Sequence, residues 1–255
     1  NFSMRDSENR HRSIYLLPNA FTTAALFAGF YAVVQAMNDR FEVAAIAIFV
    51  AMVLDGMDGR VARLTNTQSA FGEQYDSLSD MTSFGVAPAL VMYEWILNDL
   101  GRWGWLAAFV YVAGAALRLA RFNTNIAVVD KRYFQGLPSP AAAALVAGFV
   151  WLAVDNKLPI HDSLMAWVAF TLTMYAGITM VSNAPFFSGK SFALGRSVPF
   201  WGILLVVAVF VFVSSDPPVV LFGLFVLYGL SGWVMWAWRW NRARRLTQER
   251  RGQSS

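Results

Sequence analysis

The stretch Leu54–Asp80, LDGMDGRVARLTNTQSAFGEQYDSLSD, puts four aspartates between two long apolar runs of the chain. The aspartates are Asp55, Asp58, Asp76 and Asp80. Apolar residues run up to the first of them and resume after the last, so the carboxylates stand where two membrane helices would meet water. A charged side chain at the centre of a membrane helix costs roughly 2.5–3.5 kcal/mol on insertion scales. The stretch therefore predicts a helical hairpin in a membrane protein, with a functional acidic cluster at one end.

The composition of the whole chain also favours the membrane class. Hydrophobic residues make up 57% of the 255 residues and charged residues 14%, whereas ordinary soluble domains carry about 25% charged residues. The sequence has no cysteine, and its two histidines are His11 and His161. Disulfides and thiolate sites are thereby excluded, and neither a histidine-rich metal site nor a Ser/His/Asp triad is expected.

The apolar runs predict the fold class. A membrane-spanning helix needs about 20 mostly apolar residues, and eight segments approach this length: 16–37, 41–60, 77–97, 103–122, 138–154, 163–181, 198–214 and 218–238. The links between them are short, so neighbouring helices must be antiparallel. We therefore expect an all-α, polytopic membrane helix bundle with about eight transmembrane helices, forming a single membrane-embedded catalytic domain over residues 1–255.

The basic residues predict the orientation, because Lys and Arg of short loops accumulate on the cytoplasmic side. With the N-terminus inside, every Lys and Arg except Arg40, Arg102 and Lys157 falls on the inner side. We therefore expect both termini in the cytoplasm, with a basic cytosolic N-terminal segment over 4–15 and a basic cytosolic tail over 239–255. Such a tail is attracted to anionic lipid headgroups, and nucleic-acid binding is not expected of a chain that cannot leave the membrane.

The spacing of the aspartates predicts a metal site. Asp55 and Asp58 are three residues apart and Asp76 and Asp80 are four apart, so each pair shares one helical face. Hard divalent cations prefer oxygen ligands, and Mg²⁺ is typically held by carboxylates together with substrate phosphates. The cluster therefore predicts one or two Mg²⁺ or Mn²⁺ ions, and a pair of such ions can clamp an in-line phosphoryl displacement.

Gly59, Gly72 and Arg63 fit a phosphate site beside these aspartates. Glycine lets backbone and ligand approach closely, and Arg63 can bind a phosphate through its planar guanidinium. Intramembrane carboxylates also mark ion pathways, so a cation-coupled transporter is the alternative. Such transporters often carry repeated halves, and no internal repeat is evident in this sequence.

The whole acidic stretch follows a pattern with fixed gaps. It reads Asp55-x-x-Asp58-Gly59-x-x-Ala62-Arg63, then eight residues, Gly72, three residues, Asp76, three residues and Asp80. This pattern resembles the signature of the CDP-alcohol phosphotransferase family at every fixed position. The resemblance implies a membrane enzyme with a six-helix core, usually a homodimer, that transfers a phosphoryl-bearing group from a CDP-linked donor to an alcohol and releases CMP.

The resemblance also implies roles for the matched positions. By position, the metal ligands are Asp55, Asp58 and Asp76, and Asp80 is the general base that also contacts a metal. The positions that look like the CDP-binding part are Gly59, Ala62, Arg63 and Gly72.

Further segments are similar to one branch of the family, the CDP-diacylglycerol:serine phosphatidyltransferases. They are Leu16–Phe30, Ser79–Ala89, Ala116–Asn123, Phe134–Ala144 and Met180–Phe192. This similarity implies CDP-diacylglycerol and L-serine as substrates, with membrane lipids around them, and an active site that faces the cytosol from a bacterial cytoplasmic membrane. Glycerol 3-phosphate, inositol or inositol phosphate, and choline are the alternative acceptors.

Polar residues in the first apolar segment lie at the same predicted boundary. Pro18 suits the first turn of a helix, which would bring Asn19 and Thr22 level with the aspartates. We expect them to contact the CDP nucleotide. The alternative is that they cap the helix and bond to its own backbone.

Two arginines lie near the cytosolic end of the fourth segment. Arg118 and Arg121 are three residues apart, and Asn123 follows them. Arginine can bind a carboxylate or a phosphate with two parallel hydrogen bonds, so we expect these residues to bind the carboxylate of serine or the diphosphate. The alternative is that the arginines extend to the headgroups as membrane anchors.

Overall fold

A computed structural model describes residues 2–64, 69–124, 133–155, 158, 162–187 and 200–252. Side chains are described from Asn19 onward, except at some positions, of which Arg63 is one. The helices in chain order are α1 (Phe2–Met37), α2 (Phe41–Leu64), α3 (Ala70–Asp80), α4 (Ala87–Trp95), α5 (Arg102–Thr124), α6 (Ser139–Val154), α7 (Asp162–Val181), α8 (Phe200–Ser215) and α9 (Pro217–Gly252). A π-helical segment, Met81–Val86, joins α3 to α4, and a short 3₁₀ turn, Leu97–Leu100, follows α4.

The all-α membrane fold class is confirmed. Among the described residues, four helical stretches are long and apolar enough to cross a bilayer: Asn19–Met37, Arg102–Thr124, Ser163–Val181 and Pro217–Arg242. A shorter apolar helix covers Ser139–Val154. The chain is an integral membrane protein, whereas the number of eight spans and the cytoplasmic position of both termini stay predictions.

Helix boundaries differ from the sequence-based expectation at α1, α3 and α9, and α9 runs to Gly252 rather than ending at 238, so the basic segment after 238 continues that helix. Helix α1 begins at Phe2 and runs through Pro18, so the basic segment 4–15 continues the first helix rather than preceding it. Helix α3 begins at Ala70, seven residues before the expected start at 77, because Ser69 caps it by accepting a hydrogen bond from the backbone N–H of Gly72. A serine at this position satisfies one of the free N–H groups of the first turn. Asp76 and Asp80 therefore both lie in regular helix.

Helix α6 forms the centre of the described bundle. All its residues from Ala141 to Val150 are buried, and it packs against α2, α4, α7 and α9. The alanines and Gly148 in this segment let the surrounding helices approach closely, as small residues do in membrane bundles. The site described below lies at the end of this bundle where α6 begins.

Close packing holds α1 against the rod formed by α3, the π-helical segment and α4. Ser79 Oγ donates to the carbonyl of Thr22 over 3.2 Å, and Ser83 Oγ donates to the carbonyl of Ala25 over 3.0 Å. A Cβ on Gly29 would lie 2.5 Å from Ser83 Oγ, so only glycine allows this approach. These contacts fix α1 beside the aspartates of α3.

A short antiparallel ribbon leads into α6. Strand β1 (Tyr133–Gln135) pairs with strand β2 (Pro185–Phe187). After β1 the chain turns at Gly136, whose φ of +80° is readily adopted only by glycine. The N–H of Gly136 donates to the carbonyl of Ala184. The ribbon thus fixes where the first residue of α6, Ser139, is placed.

Candidate active site

Three carboxylates from two helices meet at the end of the α2–α3 hairpin. Asp55, Asp76 and Asp80 each offer one carboxylate oxygen, and these oxygens all lie within 4.8 Å of one another. Asp55 comes from the second half of α2, and the other two share one face of α3. All three side chains are partly exposed, so the cluster is open to a ligand.

The fourth aspartate, Asp58, borders this cluster. It is 6% exposed, and its Oδ2 accepts a 2.7 Å hydrogen bond from the hydroxyl of Thr22. Its charge acts on both Asp55 and Asp76. The structure therefore brings the four predicted aspartates together, with three forming the tight group and the fourth held by a hydroxyl of α1.

The cluster fits a hard divalent cation. Asp76 Oδ1 is buried and has no hydrogen-bond partner among the described residues. Burial, with the negative charges of Asp58 and Asp55, raises the pKa of Asp76 to about 7. Carboxylates this close together repel one another, and a bound cation would relieve that repulsion. A donor set made only of oxygens suits Mg²⁺ or Mn²⁺. Asp55, Asp76 and Asp80 could hold such an ion, with Asp58 beside them.

The residues expected to bind CDP lie along the end of α2. Gly59 follows Asp58 directly, and a Cβ on it would meet no atom within 4 Å. That open side of the helix leaves room for a ligand next to the carboxylates. Ala62 is partly exposed in the last turns of α2. Arg63 is helical, but its side chain lies outside the described residues.

Gly72 and Asn19 meet at the start of α3. A Cβ on Gly72 would lie 3.2 Å from Ser69 Oγ and 3.7 Å from Asn19 Oδ1. Asn19 therefore reaches across from α1 to the first turn of α3, and Thr22, one turn further along α1, contacts Asp58. The structure brings all three to the hairpin that carries the aspartates.

Arg118 is buried beside the aspartate cluster. The side chain is 8% exposed, and its Nη1 donates a 2.8 Å hydrogen bond to Ser139 Oγ. Its positive charge acts on Asp80. Its Nε is buried without a hydrogen-bond partner in the part of the chain that the structure describes. A buried guanidinium with an unused donor is a fitting site for a small anionic group.

The other two residues grouped with Arg118 have different contacts. Arg121 donates to the backbone carbonyls of Gln135, Val181 and Ser182 and to Asn183 Oδ1, at 2.8 to 3.1 Å. Asn123 Nδ2 donates to Ser77 Oγ over 3.0 Å. Arg121 thus ties α5 to the ribbon and to the end of α7, and Asn123 ties α5 to α3.

Two contacts at the site were not predicted from the sequence. Ser139 partners Arg118, although 20 residues separate them along the chain and nothing in the spacing links them. Tyr75 Oη and Thr23 Oγ1 are 2.7 Å apart, joining α3 to α1 just outside the aspartates. Tyr75 precedes Asp76, and that adjacency is the only sequence signal for it.

Comparisons with known proteins agree with the acidic hairpin. Residues 15–181 match the family model described as CDP-alcohol phosphatidyltransferase. The chain is 36% identical over 227 residues to the CDP-diacylglycerol–serine O-phosphatidyltransferase of Helicobacter pylori, which covers 87% of this chain and 92% of the relative. It is 42% identical over 136 residues to the protein of the same name from Methanocaldococcus jannaschii, covering 53% of this chain and 59% of the relative. The Saccharomyces cerevisiae protein of that name is 37% identical over 141 residues, 49% of this chain and 50% of the relative.

Proposed function

Because the chain belongs to the CDP-alcohol phosphatidyltransferase family, we propose that it transfers the phosphatidyl group of CDP-diacylglycerol to the hydroxyl of L-serine. The products are phosphatidylserine and CMP. The relatives named for this reaction support the choice of substrates, since the Helicobacter pylori protein aligns over nearly its whole length. The observation that carries the proposal is the meeting of three carboxylates from α2 and α3 within 4.8 Å.

The carboxylate group is suited to binding the diphosphate of the donor through a divalent cation. When bound, such a cation neutralises charge on the phosphoryl oxygens and stabilises the leaving phosphate. Asp55 and Asp76 each contribute a carboxylate oxygen to the group that would hold the cation. The hydroxyl of Thr22 orients Asp58 beside them. The open side of α2 at Gly59 gives the nucleotide room to lie next to the phosphates. We assign Asn19, Gly72 and Ala62 to the nucleotide end of the site, together with Arg63 on the basis of its place in the sequence pattern alone.

Asp80 is the general base in this proposal. It takes the proton of the serine hydroxyl while the hydroxyl oxygen attacks the phosphorus that bears diacylglycerol. The bond from that phosphorus to the bridging oxygen breaks, and CMP leaves with the bonding electrons. Phosphoryl chemistry of this kind depends mainly on positioning and electrostatics, and the carboxylates that meet from α2 and α3 can supply both.

Arg118 supports serine as the acceptor. Its buried guanidinium acts on Asp80 and keeps one donor unpartnered among the described residues. A serine carboxylate bound there would bring the serine hydroxyl next to Asp80, so one residue would both bind and orient the acceptor. Arg121 and Asn123 contribute by holding the ribbon and α3 in place, given the contacts they make.

The remaining features of the proposal concern the setting of the enzyme. We place the active site at the cytosolic face of a bacterial cytoplasmic membrane, following the distribution of basic residues along the sequence. The whole chain acts as one catalytic domain, and two copies form a homodimer. Mg²⁺ or Mn²⁺ serves as the cofactor, in one or two positions at the aspartates.

The test is CMP release from CDP-diacylglycerol by the detergent-purified protein with Mg²⁺ or Mn²⁺. Serine, glycerol 3-phosphate and inositol are compared as acceptors, and a sample treated with EDTA and an Asp55→Asn variant serve as controls. We expect release that depends on both serine and the metal. Release stimulated by another alcohol would support the aspartate site but contradict the assignment of serine as the acceptor. No release with any acceptor would contradict the proposed reaction.

A further inference from the structure

An apolar groove of about 650 Å³ runs along the outer surface of the bundle between α1 and α2. Thr23 and Leu54 line one end of it, and Tyr31 and Val43 line the other. From Val43 to Leu54 the helix rises about 16 Å, at 1.5 Å per residue. The groove therefore extends over much of the length of one membrane leaflet, parallel to the helices.

One end of the groove meets the active site. Leu54 directly precedes Asp55, and Thr23 directly follows Thr22, whose hydroxyl donates to Asp58. At this end Thr23 Oγ1 and Tyr75 Oη are 2.7 Å apart. The hydroxyl of Thr23 also donates to the carbonyl of Asn19, so the polar group that lines the groove is already bonded. From there to Val43 the lining side chains are apolar except for the hydroxyl of Tyr31.

Part of this surface is exposed among the described residues. Val43 is 39% exposed and Val50 is 46% exposed, and both line the groove. In a membrane protein such a surface faces lipid. A groove that begins at a phosphate-binding cluster and continues along the bilayer has the shape that a lipid substrate requires, because the phosphate and the acyl chains of one molecule must occupy both parts.

We propose that this groove binds one acyl chain of the lipid donor and thereby orients its diphosphate at the aspartates. The inference rests on the proposed function, since it assumes that the donor is a CDP-linked lipid. The chain enters beside Thr23 and Leu54 and lies against α1 and α2 toward Val43. Burial of its methylene groups against these apolar side chains supplies binding energy that the nucleotide alone does not have.

Three valines of α2 allow a positional test. Val50 lies near the site end of the groove and Val43 at the far end. Val53 is 64% exposed on the same helix but does not line the groove, so it is the matched control. Each is replaced by Trp, and KM is measured for CDP-dioleoylglycerol and for CDP-dioctanoylglycerol, whose chains are less than half as long.

We expect Val50→Trp to raise the KM of both donors about tenfold, which corresponds to losing the burial of roughly two methylene groups. Val43→Trp should raise the KM of the dioleoyl donor alone, because the octanoyl chain ends before the far end. Val53→Trp should change neither. If the three variants have the same KM as one another for each donor, the proposal is wrong.

Two further measurements separate the remaining outcomes. Binding of soluble CDP with Mg²⁺ reports whether each variant still folds and forms the nucleotide site, and it should be unchanged in all three. The mass of the protein–detergent particle reports whether the groove is instead an interface between two copies. A Val50→Trp variant that loses its partner copy but keeps its KM would contradict the acyl-chain assignment. Absence of CMP release by the wild-type protein would contradict the proposed function itself.

Discussion

Arg118 Nη1 donates a 2.8 Å hydrogen bond to Ser139 Oγ, joining the C-terminal part of α5 to the first residue of α6. Arg118 is 8% exposed and Ser139 is fully buried. The bond fixes one edge of the guanidinium, while the Nε on another edge has no partner within the described residues. The bond to Ser139 therefore fixes the guanidinium of Arg118 near Asp80, where the proposed serine carboxylate would bind.

Replacing Ser139 by Ala should raise the KM for serine about tenfold. A hydrogen bond to a charged group contributes about 1.5–3 kcal/mol, and its loss lets Arg118 leave the orientation that binds the acceptor. The KM for CDP-diacylglycerol should stay the same. Ser83→Ala is the matched control, since Ser83 is equally buried but donates to the carbonyl of Ala25. An equal rise in the KM values for serine and for CDP-diacylglycerol would indicate that Ser139 stabilises the fold rather than orienting Arg118 for serine.

Replacing Asp80 by Asn should lower kcat by at least about a hundredfold, the contribution typical of a general base. Asparagine keeps the size of the side chain but cannot accept the proton of serine. Binding of CDP-diacylglycerol with Mg²⁺ should be retained in part, as calorimetry on the purified variant can show. Asp55→Asn is the comparison, and it should lose donor binding. Equal loss of donor binding in the two variants would argue against a separate role for Asp80.

Replacing Thr22 by Val should weaken the apparent affinity for Mg²⁺ about tenfold. Thr22 is 4% exposed, and its hydroxyl orients Asp58 beside the other carboxylates. Losing a partner that orients a metal ligand typically costs 10–100-fold in metal affinity. Mg²⁺ titration of CMP release measures the effect, and Thr22→Ser should restore it.

Thr171→Val is the matched control for this measurement. Thr171 is exposed and donates to the carbonyl of Trp167 in its own helix. It should leave the Mg²⁺ dependence unchanged. A Thr22→Val variant with the wild-type Mg²⁺ dependence would contradict the role given to the hydroxyl.

Much of the fold and the centre of the site could be predicted from the sequence. The apolar runs predicted helices because a backbone in a bilayer must satisfy its own hydrogen bonds. The spacing of Asp55, Asp58, Asp76 and Asp80 placed each pair on one helical face, and the short distance along the sequence between the two pairs predicted that the faces would meet. These features depend on local periodicity, which a sequence displays directly.

The contacts between distant helices could not be predicted in this way. Arg118 and Arg121 look alike in the sequence, three residues apart near the end of one helix. Their surroundings differ because α6 presents Ser139 to one of them and the ribbon presents carbonyls to the other. Such differences arise from the packing of α5 against other elements, and periodicity carries no information on it. The extension of α1 before Pro18 was missed because its polar residues do not resemble a membrane span.

The contrast between the two arginines gives a final prediction. Arg121 donates to three backbone carbonyls and to Asn183, so its loss should destabilise the protein rather than weaken serine binding. We expect Arg121→Lys to lower the melting temperature, because an ammonium group cannot match the planar fork of donors. The KM for serine, measured on the folded protein, should change less than about threefold, which is under 1 kcal/mol.

Arg118→Lys is the matched variant on the same helix. It should raise the KM for serine by about tenfold or more, since a lysine cannot bind a carboxylate with two parallel hydrogen bonds while also bonding Ser139. Its melting temperature should fall less than that of Arg121→Lys. The reverse pattern would assign the acceptor to Arg121 and make Arg118 the structural residue.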